Sequence, residues 1–91
     1  NCLIKNFVHV YSGCLVGHDT HINNYCTISA HSIIGGRVIL HEGTHVGLNA
    51  TIREDITVGQ YSILGISSVV VKDVEDFDIV VGNPAKTIKK S

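Results

Sequence analysis

The sequence predicts an all-β chain wound as a parallel β-helix of about four coils, and three observations carry that prediction. Cut without an insertion from Cys2, the chain falls into hexads whose third residues are all aliphatic: Ile4, Val10, Val16, Ile22, Ile28, Ile34, Leu40, Val46, Ile52, Val58, Leu64 and Val70. The first residue of a hexad is usually small or β-branched, as at Thr20, Ser32, Thr44, Ala50, Ser62 and Ser68. Glycine often follows the aliphatic position, at Gly17, Gly35, Gly47, Gly59 and Gly65. A period of six matches neither a helix nor plain strand alternation. A short strand followed by a turn matches both the aliphatic residue and the glycine. Three such units close a triangular coil of about 18 residues, and coils stack through strand pairing about 4.8 Å apart.

Each hexad from CLIKNF to SVVVKD supplies one strand, so residues 1–73 form the β-helix. No coil buries its aliphatic layer alone; each depends on its neighbours. The chain opens in register and without methionine, as expected of a piece of something longer. After Val70 the pattern decays into VEDFDIVVGNPAKTIKKS, so residues 74–91 read as a short strand or tail that covers the end of the coil.

Bulk properties narrow the function. At 91 residues there is one domain at most, with a formal charge of −1 and charges of both signs interspersed, which points to neither nucleic acid nor an anionic membrane surface. No apolar run is long enough to span a bilayer, and the start is not signal-like. Three cysteines make an unlikely disulfide framework, and free thiols in a reducing cytosol are the simpler expectation.

An 18-residue coil converts spacing into geometry, because residues 18 apart stand above one another. Cys2, Cys14 and Cys26 share the first hexad position but fall on successive faces, which suits corner residues and not a common metal site. His9 and His45 share a column two coils apart, roughly 9.6 Å, too far for both to ligate one zinc at about 2.1 Å each. His21 stands on another face, and His31 and His41 read as solvated corners. His18 differs. It sits at a turn in VGHDTHI with Asp19 beside it, and an imidazole oriented by a carboxylate can serve as a general base near neutral pH. Gly36 lies one coil above His18, where a bare wall lets a backbone N–H approach a developing oxyanion.

The hexad run resembles the left-handed β-helix acyltransferases, the hexapeptide-repeat family, over essentially the whole chain. GHDTHI, GGRVIL, THVGLNATI, YSILGISSVVVKD and VVGNPAK are similar to the C-terminal half of its sugar O- and N-acetyltransferases of the sialic-acid and bacillosamine-pathway type. The resemblance implies left-handed winding, against the usual crossover rule. It implies acetyl-CoA as donor, a homotrimer and a sugar or sugar-nucleotide acceptor, and the free thiols add the expectation of a cytoplasmic location. In that group the histidine is the base, its acidic neighbour the orienting partner and the glycine the oxyanion donor, which fall on His18, Asp19 and Gly36. Some members carry a second histidine nine residues on; here that position is Thr27, which can still donate a hydrogen bond toward the cofactor. Along the cofactor groove between subunits the expected residues are Gly47, Asn49, Gly65 and Ile66, with Gly82, Pro84 and Lys86 at the diphosphate and adenine end. The N-terminal sugar-nucleotide-binding domain of longer relatives has no room in this chain.

The favoured expectation is acetyl transfer to the amine of a nucleotide-linked amino-sugar, with no metal. Three alternatives stay open: transfer to a sugar hydroxyl, a carbonic-anhydrase-like zinc site between subunits, and a non-catalytic trimeric scaffold. Against the zinc site, the residue five after His45 is Ala50. No phosphate-loop or dinucleotide fingerprint is present.

Overall fold

The computed structural model describes residues 2–90; Ser91, the last residue of the expected tail, lies outside the described residues. Twelve two-residue strands, β1 (Leu3–Ile4) to β12 (Val69–Val70), follow one another every six residues. They wind left-handed into four coils. A first face stacks β1-β4-β7-β10, a second stacks β2-β5-β8-β11, and a third stacks β3-β6-β9-β12. All pairs within these faces are parallel and in an 18-residue register, such as Leu3↔His21 and Leu15↔Ile33.

The hexad dictates this winding position by position. The third residue points inward: Ile22, Ile28, Ile34, Leu40, Val46, Ile52, Val58, Leu64 and Val70 are at most 1% exposed. Ile4 and Val10, in the opening coil, are 49% and 44% exposed because no coil lies beneath them. The first residue turns its side chain back to a carbonyl fifteen residues on. Thr20 Oγ1 donates to Gly35 O at 2.9 Å and Ser32 Oγ to Gly47 O at 3.0 Å. The cysteines make the same bond: Cys2, Cys14 and Cys26 reach the carbonyls of Gly17, Ser29 and His41 at 3.0, 3.0 and 3.2 Å. All three thiols are free; Cys26 is buried, Cys14 half-buried and Cys2 exposed, again at the open coil. Every sixth residue from Phe7 to Ser67 has a positive φ, which turns the chain from one face to the next.

The winding changes pitch beyond residue 73. Val74 bridges Val58, and β13 (Asp78–Val81) pairs in parallel with β11 through Ile63↔Ile79, a spacing of 16 instead of 18. Residues 74–81 thus add a partial fifth coil. β14 (Lys86–Lys90) then folds back antiparallel on β13, and Gly82 and Ala85 bond the free edge of β12 through Val69. Lys90 pins this hairpin, with Nζ 2.9 Å from Glu75 and 3.0 Å from the buried Asp78. None of the described residues forms a helix long and apolar enough to cross a membrane.

Candidate active site

Three corners join the three faces, and His18 stands on the corner that runs from the third face to the first. The turn Gly17-His18-Asp19-Thr20 links β3 (Leu15–Val16) to β4 (His21–Ile22). Neighbouring side chains on a strand point apart, but Asp19 adopts a left-handed backbone with φ 58°, a conformation aspartate tolerates. The twist brings its carboxylate back to its neighbour: Asp19 Oδ2 lies 3.0 Å from His18 Nδ1. That hydrogen bond, above all, holds the Asp19 carboxyl below the usual carboxylate range. An ionised carboxylate can only accept, so this contact calls for an N–H at Nδ1, and in a neutral ring the lone pair then falls on Nε2.

The coil above fixes the other side of the ring. Arg37 N donates to His18 O at 2.8 Å, which places Gly36 directly over His18. A methyl on Gly36 would stand 2.7 Å from His18 Nε2, so the imidazole packs against bare backbone there. Arg37 adds a contact the sequence reading passed over. Its Nη1 lies 3.5 Å from His18 Nε2, while Nε and Nη2 bind Asp55 at 2.6 and 3.0 Å. The signal was present in the columns: Asp19, Arg37 and Asp55 are spaced by 18 and occupy the same hexad position. His18, Asp19, Arg37 and Asp55 are all more than half exposed, so their geometry is open to a ligand.

Other expected residues gather elsewhere. Gly47, Asn49, Gly65 and Ile66 all lie on the corner between the second and third faces, and Gly82 and Pro84 continue it past β13. This corner is apolar, with Leu48 46% and Ile66 71% exposed. Gly47 has a structural reason of its own, since a methyl there would strike Leu64 O at 2.5 Å in the coil above. Thr27 belongs to neither corner: it sits in β5 (Thr27–Ile28) on the second face, paired between His9 and His45. Pro84 and Lys86 line a cavity of about 350 Å³ at the end of the coil, with Lys72 and Asp73. A second cavity of about 390 Å³ lies beside Asn23, His41, Glu42, Gln60 and Asp76, on the corner between the first and second faces. Neither includes His18, which stands on an open wall. Among the described residues no three His, Cys, Asp or Glu side chains converge as a metal site would require.

No family model matches the chain. It is 44% identical over 55 residues to a chloramphenicol acetyltransferase of Agrobacterium fabrum, covering 60% of this chain and 26% of that protein. Over 51 residues it is 37% identical to a dTDP-3-amino-3,6-dideoxy-alpha-D-galactopyranose 3-N-acetyltransferase of Aneurinibacillus thermoaerophilus, covering 56% and 27%. WeeI from Acinetobacter baumannii AYE superposes with a TM-score of 0.94 at 29% identity, over 97% of this chain and 44% of that one. The chain is similar in sequence and fold to the hexapeptide-repeat left-handed β-helix acyltransferases. A serine acetyltransferase in complex with CoA also matches, with a TM-score of 0.90 at 28% identity, over 96% of this chain and 39% of that one. This chain spans about a quarter of the length of these two curated relatives.

Proposed function

We propose that this chain is the catalytic β-helix of an acetyl-CoA-dependent acetyltransferase that acts on the amine of a nucleotide-linked amino-sugar, with His18 as general base. The observation that carries the proposal is the His18–Asp19 contact at 3.0 Å with the bare wall of Gly36 against Nε2. The relatives named as acetyltransferases and the CoA-bound neighbour support the donor, and the relative named for a dTDP-linked amino-sugar supports the acceptor.

In this reading the neutral amine attacks the thioester carbonyl carbon while His18 Nε2 takes its proton. Asp19 steadies the imidazolium that results. The Gly36 N–H donates to the carbonyl oxygen as it gains charge. When the tetrahedral adduct collapses, the C–S bond breaks, the departing thiolate takes the proton from His18, and an acetamido-sugar and free CoA leave. A sugar hydroxyl is served by the same groups.

His18 and the expected cofactor residues lie on different corners, at either end of the third face. Between them Leu15 and Ile33 are 64% and 45% exposed. A closed three-fold trimer would cover this apolar face and set the His18 corner of one copy against the Gly47–Ile66 corner of the next. That arrangement places the donor in a groove between subunits, with Asn49 and Ile66 on one wall and Pro84 and Lys86 at its end. The assembly is complete in this proposal without a metal.

The test is release of free thiol from acetyl-CoA by the full chain, offered dTDP- and UDP-linked amino-sugars and their hydroxyl counterparts. We expect turnover with an amino-sugar nucleotide and a loss of roughly 10²–10⁴-fold in His18→Ala. Turnover confined to hydroxyl acceptors would move the proposal to O-acetylation. A His18→Ala protein as active as the parent would sink the assignment of the base.

A further inference from the structure

The His18 corner holds one charged pair more than the proposed chemistry uses. Arg37 and Asp55 meet side by side, Nε to Oδ1 at 2.6 Å and Nη2 to Oδ2 at 3.0 Å. This two-point grip fixes the plane of the guanidinium as well as its position. It leaves Nη1 to point down one coil, 3.5 Å from His18 Nε2. Asp19, His18, Arg37 and Asp55 therefore form one chain of contacts across three coils.

An imidazole on an exposed turn can flip its ring and exchange its two neutral tautomers. Here the two neighbours demand opposite things of its nitrogens. The Asp19 carboxylate accepts and needs an N–H; the Arg37 guanidinium donates and needs a lone pair. Only one arrangement satisfies both, with the proton on Nδ1 and the lone pair on Nε2. Flipping the ring or moving the proton breaks both contacts at once. Gly36 leaves room for the ring to lie between them.

We propose that Arg37, clamped by Asp55, is a positioning residue that locks His18 as the Nδ1–H tautomer with Nε2 as proton acceptor. Nη1 holds the place that the N–H or O–H of the acceptor takes, and its long 3.5 Å contact lets it give way. The catalytic consequence rests on the reading of His18 as general base; the tautomer lock does not. The charged groups around the ring among the described residues are Asp19 on its own turn, Arg37 and Asp55 on the coils above, Glu54, which acts on Arg37, and Arg53, which acts on Asp55 and pairs with Glu54.

The test is ¹⁵N NMR of the His18 ring in the full chain without ligand, at a pH where the ring is neutral, for the parent, Arg37→Gln, Asp55→Asn and Arg37→Lys. Both sites are surface positions, and circular dichroism checks that each of the three variants is folded. The parent should show the Nδ1–H form. Arg37→Gln should raise the Nε2–H form several-fold, Asp55→Asn should fall between, and Arg37→Lys should restore the parent only in part. In acetyl transfer, kcat of Arg37→Gln should drop roughly tenfold with KM for acetyl-CoA within about twofold of the parent. An unchanged tautomer balance in Arg37→Gln and Asp55→Asn would overturn the inference. A shifted balance in a chain that transfers no acetyl group would support the lock and count against the proposed function.

Discussion

Two corners of this prism share one backbone and differ in everything that faces outward. Asp19, Arg37 and Asp55 on one corner, and Phe7, Tyr25, Tyr61 and Phe77 on another, all sit at positive φ at a turn between faces. On the first corner the side chains 18 residues apart form a ladder of charge with His18 at its foot. On the second, side chains one coil apart form stacked aromatic pairs, Phe7 on Tyr25, 18 residues on, at 5.3 Å and Tyr61 on Phe77, 16 residues on, at 6.1 Å between ring centres. The comparison teaches that the hexad specifies the turn but leaves its outward chemistry free. Ladders then arise because the pitch sets like positions one above another.

The largest effect comes from breaking the frame both corners share. Leu40 is fully buried in the middle of the stack, so Leu40→Ala should cost about 2–5 kcal/mol. Urea unfolding would measure it, and both corners should lose their order together. The next contrast separates the corners. Gly36→Ala forces the flexible His18 ring aside, since its methyl would meet Nε2 at 2.7 Å. It should cost about 1 kcal/mol or less in stability yet roughly 10²-fold in acetyl transfer. Gly43→Ala on the aromatic corner should behave oppositely. Gly43 has φ +69° and lies under the Tyr61 ring, so the substitution should cost about 1–3 kcal/mol and leave turnover of the folded fraction alone.

The smallest effect concerns the C-terminal hairpin. Lys90 holds the Asp78 carboxyl below its ordinary range, and Glu75, then Asp78, holds the Lys90 ammonium above its own. A depressed acid stabilises above its unfolded value and loses that contribution as pH falls; a raised base stabilises below its unfolded value and loses it as pH rises. The latch is therefore complete between about pH 4 and about pH 10, from the ordinary carboxylate and lysine values. Proteolytic nicking at 82–86 should be slowest inside that window, and Lys90→Gln should remove the dependence on its alkaline side.

How much of this was legible in the sequence follows from the same split. The aliphatic third positions gave the faces, the coils and the core, because burial in a narrow prism admits little else. They did not give the exposure of Ile4 and Val10, which depends on the coil at the end and not on the hexad. The hairpin was legible only as a tail: its pairing with β11 abandons the 18-residue spacing for 16, so no column points to it. The pairing of Asp78 with Lys90 escaped for that reason. Asp19 beside His18 was readable as a dipeptide at a turn. Arg37 was readable too, through its column, but charge on a turn looks like solvation until the side chain's reach is known.

The proposed acetyl-CoA site, with His18 as its base, makes one direct demand on binding. Isothermal titration of acetyl-CoA into the full chain and into His18→Ala, each with its oligomeric state checked, tests it most directly. Both should bind saturably at about one site per subunit, with acetyl transfer lost only in the variant. A folded trimer that binds no acetyl-CoA would contradict it.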